Sequence, residues 1–138
     1  VAARELAVTT LDSSVLFALL NRKDRDHERV VAALRAAKPP FYIPTGILAE
    51  IAYLIEQRLG QTVLLAFLSD ITKGNFILDC GETDVPRVET LVARYEDLPL
   101  GLADALVIAC AERRGGKVLS LDTHFWVVAG EGTLTVAP

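Results

Sequence analysis

The alternation of short strand-like runs with helix-length segments is the feature that most constrains the fold of this chain. Runs rich in β-branched and apolar residues are separated by segments whose apolar residues have helical spacing. The predicted strands are residues 6–11, 41–44, 75–78, 117–121 and 133–136. Because parallel strands need long crossover connections, this order predicts an α/β fold. We expect a three-layer α/β/α domain with a central, mainly parallel sheet of about five strands covered by helices.

The segments between these strands contain recognisable helix boundaries. Pro39-Pro40 ends one predicted helix, Gly60 ends another, and Thr45 is the predicted N-cap of the helix that follows it. The predicted helices are 15–20, 26–38, 46–59, 61–73, 84–95 and a run that begins at residue 102. In helix 84–95, an apolar stripe predicts that four residues point inward, namely Val85, Val88, Leu91 and Val92. No repeat or second domain is visible, so we expect one domain over residues 1–138.

Composition excludes several classes of protein. Apolar residues make up 51% of the chain, but no run approaches the ~20 uncharged residues of a membrane-spanning helix. The opening VAARELAVTTLD lacks the features of a signal peptide, so we expect a cytoplasmic protein. Cys80 and Cys110 lack the spacing of zinc ligands, and we expect both thiols to be buried. The net charge of −4 argues against a generic basic clamp for nucleic acid.

Two aspartates follow predicted strands, and two other acids lie in apolar helices. Asp12 and Asp122 come at strand ends, where an aspartate either caps the next helix or binds a ligand. Asp104 and Glu50 have apolar or small helical neighbours, and burying a bare carboxylate costs several kcal/mol. The alternatives are a buried capping aspartate at 104 and a glutamate at 50 that pairs with a distant arginine.

Strand ends and helix N-termini share one edge of a parallel sheet, so the four acids are expected to converge. Carboxylates brought that close repel one another unless cations lie among them. Ligand sets made of oxygen alone suit Mg²⁺ or Mn²⁺ rather than zinc. We therefore expect a divalent metal site that binds phosphate and activates water.

Three segments resemble the motifs of PIN-domain ribonucleases, specifically the VapC toxins of toxin–antitoxin systems. They are LDSSVLFALL, IPTGILAEIAYLI, and DLPLGLADALVIACAERRGG followed by KVLSLDTHF. By this resemblance, the catalytic and metal-binding acids would be Asp12, Glu50, Asp104 and Asp122. Ser14 and Ser120 match positions where the family has small polar residues that support the site. Some relatives have a further acid where this chain has Gly101, so that ligand is absent here.

The resemblance also implies an activity and partners. It implies a PIN-like fold, Mg²⁺- or Mn²⁺-dependent hydrolysis of RNA phosphodiesters, and products with a 5′-phosphate and a 3′-hydroxyl. It further implies a homodimer and a VapB-like antitoxin whose C-terminal segment covers the site. Neither the RNA nor the sequence cleaved follows from these motifs.

Several residues outside the four acids are candidate contacts for RNA. Basic side chains bind backbone phosphate without reading sequence, although a run of charges is more often a solvated surface. The candidates are Arg22, Lys23, Arg25 and His124, with a weaker basic patch at Arg113, Arg114 and Lys117. We expect Phe125 and Trp126 to pack in the core rather than to stack on bases.

Two other functions use a similar set of residues. A Mg²⁺-dependent phosphatase or phosphoryl-transfer enzyme also places an aspartate at a strand end, but the haloacid-dehalogenase type needs an acid where this chain has Ser14. A non-catalytic interaction module with an acidic pocket is the other alternative.

Overall fold

The computed structural model describes residues 8–138, which form one sheet of five parallel strands. The strands are β1 (Thr9–Leu11), β2 (Phe41–Pro44), β3 (Ile77–Asp79), β4 (Lys117–Leu119) and β5 (Thr135–Ala137). Their order across the sheet is β3-β2-β1-β4-β5, and helices cover both faces. The predicted three-layer α/β/α fold is therefore confirmed.

Seven α-helices lie between the first and last strands in the described part of the chain. They are α1 (Ser13–Leu20), α2 (His27–Ala37), α3 (Leu48–Leu59), α4 (Gln61–Thr72), α5 (Val85–Arg94), α6 (Leu102–Arg113) and α7 (Thr123–Ala129). A short 3₁₀ turn, Thr45–Ile47, leads into α3. Within residues 8–138, no helix has the length and apolar character needed to cross a bilayer.

The second strand has the predicted bounds, whereas the third, fourth and fifth strands are shorter than the sequence patterns predict. The third starts at Ile77, where pairing with Tyr42 of β2 begins, and the fourth ends at Leu119, before the chain turns toward α7. The first predicted strand begins at residues 6 and 7, which lie outside the described residues. Thr45 does not cap α3, because it lies inside the 3₁₀ turn and makes no capping hydrogen bond with its side chain.

The register of β1 and β4 sets the position of the candidate site. Leu11 pairs with Leu119, and the amide of Asp12 donates to the carbonyl oxygen of Leu119 at 3.0 Å. Asp12 and Ser120 are therefore the first residues beyond two adjacent, central strands. Ligand sites of open parallel sheets lie at this edge.

Helix α6 lies against the sheet and provides much of the core. It contacts β1, β2 and β4, and α5 packs beside it. Six of its residues are buried, namely Ala105, Val107, Ile108, Ala109, Cys110 and Ala111. Their alternating small and branched side chains permit close approach of the helix to the strands. This burial agrees with the apolar pattern of the sequence.

Four expectations about individual side chains are wrong. Val85 is 63% exposed and Val92 is 38% exposed, because α5 buries only a narrow stripe that contains Val88 and Leu91. Cys80 follows β3, one of the two edge strands of the sheet, and is exposed, whereas Cys110, a residue of α6, is buried as expected. Trp126 is 53% exposed, so it does not pack in the core.

The turn between α6 and β4 depends on glycine. Gly116 has φ +92°, a left-handed conformation that other residues rarely adopt. A Cβ atom there would lie 2.6 Å from the carbonyl oxygen of Thr133. The turn therefore admits only glycine at this position, and it places β4 beside β5.

An ion-pair cluster joins the C-terminus of α6 to the edge of the sheet. Arg113 bonds to Asp79 at 2.5 Å and to Asp84 at 2.9 Å, and Arg114 bonds to Asp79 at 2.6 Å. The guanidinium of Arg114 also lies over the ring of Tyr42. The weaker basic patch predicted here therefore contains two arginines that are already engaged by buried carboxylates.

We expect Arg113→Met to destabilise the protein by about 2–4 kcal/mol, because it leaves Asp84 buried without its partner and weakens the pairing of Asp79. Urea unfolding at pH 7 measures this loss. The bonds with Arg113 hold the pKa of Asp79 below its usual value, so the loss should shrink as the pH falls below 4.

Arg94→Met is the matched control, because Arg94 pairs with Glu131 at 2.9 Å but has a side chain that is 51% exposed. We expect a cost of less than about 1 kcal/mol. Equal costs for the two variants would contradict the structural role of the buried pairs.

Candidate metal centre

Asp12 is the buried member of the candidate site, and two serine hydroxyls hold its side chain. Ser14 Oγ donates to Asp12 Oδ2 at 2.7 Å, and Ser120 Oγ donates to the same oxygen at 2.8 Å. Ser14 lies in the first turn of α1, and Ser120 directly follows β4. The two serines singled out from the sequence therefore meet Asp12 from different elements.

Backbone amides fix the direction of these hydroxyl groups. The amide of Leu121 donates to Ser14 Oγ, and the amide of Asp122 donates to Ser120 Oγ, both at 3.0 Å. Each hydroxyl therefore accepts a hydrogen bond from a backbone amide and donates one to Asp12. The residues that follow β4 are tied in this way to the carboxylate that follows β1.

Burial raises the pKa of Asp12, and hydrogen bonds from Ser14, Ser120 and the backbone of Ser13 act in the opposite direction. The residue is only 3% exposed. The hydrogen bonds therefore hold the carboxylate in a fixed orientation, and a cation bound beside it would offset the cost of its burial.

Asp122 is held by the N-terminus of α7. It is the N-cap of this helix, and its Oδ1 accepts the amide of His124 at 2.8 Å. The capping interpretation of Asp122 is thus correct, and it does not exclude ligand binding, because the cap uses only one of the roughly four lone-pair sites of the carboxylate. The cap also brings the His124 side chain toward the same edge.

Asp104 lies in the first turn of α6, beside Asp122 and His124. One ligand atom from each of these three residues lies within 4.8 Å of the others, a spacing that a metal ion can bridge. Asp12 and Glu50 are not part of this tight group. Their negative charges nevertheless act on it, because both raise the pKa of Asp104.

The pKa of Asp104 is raised from 3.8 to about 6. Burial is the largest cause, followed by the negative charges of Asp12 and Asp122; nearby His124 opposes the shift, and Glu50 adds to it. The side chain of Asp104 is 23% exposed, so it is partly rather than completely buried. The four predicted acids therefore influence one another electrostatically at one edge of the sheet.

The placement of Glu50 corrects one step of the sequence argument. Glu50 is exposed in the first turn of α3, and Tyr53, one turn later, is 63% exposed. Burial therefore does not force a cation onto Glu50, whereas the same argument still applies to Asp104, which is partly buried. Some apolar sequence neighbours of Glu50 are exposed to solvent, and periodicity alone did not reveal this.

This arrangement fits a divalent cation. Carboxylate oxygens from β1, α6 and α7 face one region, and their mutual repulsion favours a positive charge among them. Asp104 and Asp122 are the acids best placed to hold it, and the buried Asp12 and the exposed Glu50 are near enough to raise the pKa of Asp104. Oxygen ligands of this kind suit Mg²⁺ and Mn²⁺.

The predicted RNA contacts lie in two places. Arg22, Lys23 and Arg25 are exposed in the loop after α1, and that helix spans about 12 Å from the site edge to the loop. His124 instead lies within the acidic cluster. Contact with RNA stays a prediction for all four residues.

The sequence argument missed the grouping of His124 with Asp104 and Asp122. Its position two residues after Asp122 was the available signal, because an N-cap side chain accepts the amide of the residue two or three positions later. Without the position of α6, that spacing does not predict contact with Asp104.

The known proteins that resemble this chain in sequence and those that resemble it in structure are of the same kind. The chain is 30% identical over 133 residues to Ribonuclease VapC26 of Mycobacterium tuberculosis (strain ATCC 25618 / H37Rv), covering 93% of this chain and 98% of the relative. The crystal structure of M. tuberculosis VapC20, a sarcin-ricin loop cleaving toxin, superposes with a TM-score of 0.75 at 20% identity, covering 87% and 94% of the two chains.

A toxin–antitoxin complex from Klebsiella pneumoniae has a chain with the same fold, with a TM-score of 0.69 at 20% identity and coverage of 92% and 95%. The family model described as PIN domain matches residues 9–131, from the first strand to the loop before the last one. The chain therefore belongs to the PIN domain family, as a member of the VapC type.

Proposed function

We propose that this protein is a metal-dependent endoribonuclease and the toxin of a toxin–antitoxin pair. Its substrate class is RNA, and its reaction is hydrolysis of phosphodiester bonds at a Mg²⁺ or Mn²⁺ site. The ribonuclease name of VapC26 and the RNA-cleaving description of VapC20 support this choice within the family. The proposed catalytic and metal-binding residues are Asp12, Glu50, Asp104 and Asp122.

The observation that carries the proposal is the electrostatic state of Asp104. Burial is the largest cause of its raised pKa, and three other carboxylates also oppose its ionisation from separate elements of the fold, after β1, in α3 and at the start of α7. A chain gains no stability from such repulsion, so the arrangement is best explained by a bound cation. Carboxylates that converge at the carboxyl edge of a sheet are also suitably open to an extended substrate.

Each acid has a distinct task in this proposal. Asp12, held by two serine hydroxyls, orients its carboxylate toward the centre, and Asp122 does so through its helix cap. Asp104 contributes a carboxylate whose raised pKa disfavours the charged form until a cation is present. Glu50, which is exposed, lies where it can orient an attacking water or complete the ligand set. A divalent cation bound here supplies Lewis-acid stabilisation of the phosphodiester charge and lowers the pKa of a water.

A VapB-like antitoxin and a second copy of the chain are the proposed partners. Structures with this fold include the Klebsiella toxin–antitoxin complex and VapBC2 from Rickettsia felis bound to a promoter DNA fragment. Exposed apolar side chains on α3 and α4, among them Tyr53 and Leu65, provide surface that such partners are able to cover. The location of the protein in the cytoplasm stays a prediction.

We expect Asp104→Asn to lower the rate of RNA cleavage by about a hundredfold or more, because it removes a proposed ligand charge while preserving size. Cleavage of a labelled RNA with Mg²⁺ or Mn²⁺, by protein freed of antitoxin, measures this rate. Asp70→Asn is the matched control, since Asp70 lies on α4 and bonds only to Asn75 among the described side chains.

Circular dichroism and thermal unfolding show whether the Asp104 variant is folded. Parent protein that cleaves no RNA with either metal would contradict the nuclease proposal. Release of phosphate from small phosphoesters would favour the phosphatase alternative. The absence of both activities would favour an interaction module.

We expect Asp104→Asn to stabilise the metal-free protein at pH 8 by about 2–3 kcal/mol. The folded pKa of about 6 lies above the usual 3.8, so ionisation of Asp104 costs stability as the pH rises between these values. The difference between variant and parent should therefore be largest at pH 8 and vanish near pH 4.

Urea unfolding in EDTA from pH 4 to pH 8 measures this difference. Mg²⁺ or Mn²⁺ in excess should reverse it at pH 8 by stabilising the parent more than the variant. Equal stability of the two proteins at pH 8 would show that burial and the neighbouring charges do not raise the pKa of Asp104.

A further inference from the structure

His124 presents a buried nitrogen to the acidic cluster without a hydrogen-bond partner. Among the side chains of residues 8–138, its Nδ1 is the one buried nitrogen or oxygen atom that lacks such a partner. Buried polar atoms are nearly always satisfied in folded proteins, and an exception calls for a specific explanation. The ring as a whole remains 30% exposed, so the unsatisfied atom is on its inner edge.

The distances from Nδ1 to the two carboxylates are too long for hydrogen bonds and short enough for ligands that share one ion. Nδ1 lies 3.5 Å from Asp122 Oδ1 and 3.9 Å from Asp104 Oδ2. Hydrogen bonds of this type are about 2.7–3.2 Å long, so neither contact is one. Two ligands bound to one ion at about 2.1 Å are separated by roughly 3 Å when adjacent and roughly 4.2 Å when opposite. Both observed distances fall in that interval.

We propose that His124 Nδ1 is a ligand of the ion that Asp104 and Asp122 bind, which gives this centre a mixed nitrogen and oxygen donor set. The inference rests on the proposed metal site and adds a ligand to its four acids. The helix cap supports the geometry, because Asp122 Oδ1 accepts the amide of His124 and thereby fixes the backbone from which the ring projects. The chain's other histidine has a different partner, since His27 Nδ1 lies 2.9 Å from the carbonyl oxygen of Ala18.

A nitrogen ligand changes which metal the centre prefers. Mg²⁺ favours oxygen ligands, whereas imidazole binds first-row transition metals well, and Mn²⁺ accepts both ligand types. The centre is therefore expected to bind Mn²⁺ more tightly than Mg²⁺ by a margin that depends on His124. A site with carboxylates alone has no such dependence.

Pulsed electron paramagnetic resonance of bound Mn²⁺ tests ligation without reference to activity. The protein is prepared without a histidine tag, and modulation from a directly coordinated nitrogen is expected in the parent. The same signal should persist in His27→Asn, the control that removes the other histidine. It should be lost in His124→Ala and in His124→Asn, whose amide oxygen can occupy the position of Nδ1.

Fluorescence provides a matching measure of affinity. The chain has one tryptophan, Trp126, which lies two residues after His124, and bound Mn²⁺ quenches nearby indole emission. We expect His124→Ala to weaken Mn²⁺ binding by at least about tenfold. Competition by Mg²⁺ in the same assay measures the affinity for Mg²⁺. We expect His124→Ala to weaken Mg²⁺ binding by about threefold or less. We expect the affinities of His124→Asn to lie closer to those of the parent.

These outcomes separate the two proposals. Parent protein that binds Mn²⁺ in an Asp104-dependent way, without nitrogen modulation, would overturn ligation by His124 and leave the acidic metal site intact. Parent protein that binds no Mn²⁺ would overturn both. Modulation that survives in His124→Ala would also refute the assignment, and if that variant fails to fold, the parent and His124→Asn spectra decide it.

Discussion

Repulsion among carboxylates at the carboxyl edge of a parallel sheet is the constraint on which this structure depends. Asp12 is buried and Asp104 is partly buried, and burial raises the pKa of both. Asp122 and Glu50 add negative charge from separate helices. The fold must hold these groups together against their mutual repulsion, and the proposed cation removes that penalty when it binds.

The scaffold resists this repulsion by fixing the backbone around the site. Two central strands end side by side, and Ser14 and Ser120 connect the carboxylate after β1 to the amides after β4. Away from this edge, the opposite signs of charge are paired, as in the buried contacts of Arg113 with Asp79 and Asp84. The contrast suggests that the unpaired acids are retained for binding rather than for stability.

Patterns in the sequence predicted the strand order along the chain, the parallel sheet and the candidate acids, because each depends on local spacing or on a rule of α/β topology. They failed where exposure depends on which neighbour covers a helix. Val85 and Trp126 are apolar but exposed, and Glu50 lies on a wet surface despite apolar neighbours in sequence. Periodicity identifies an apolar stripe but not how wide a stripe the fold covers.

The sequence by itself determined the fold class and predicted one candidate site from Asp12, Glu50, Asp104 and Asp122, since strand ends and helix starts of an α/β sheet share an edge. Only the tertiary structure decided which of these acids are buried and that His124 Nδ1 faces Asp104 and Asp122. The physical reason is that Asp104 and His124 come from α6 and α7, whose relative position is set by packing against the sheet and not by any spacing along the chain.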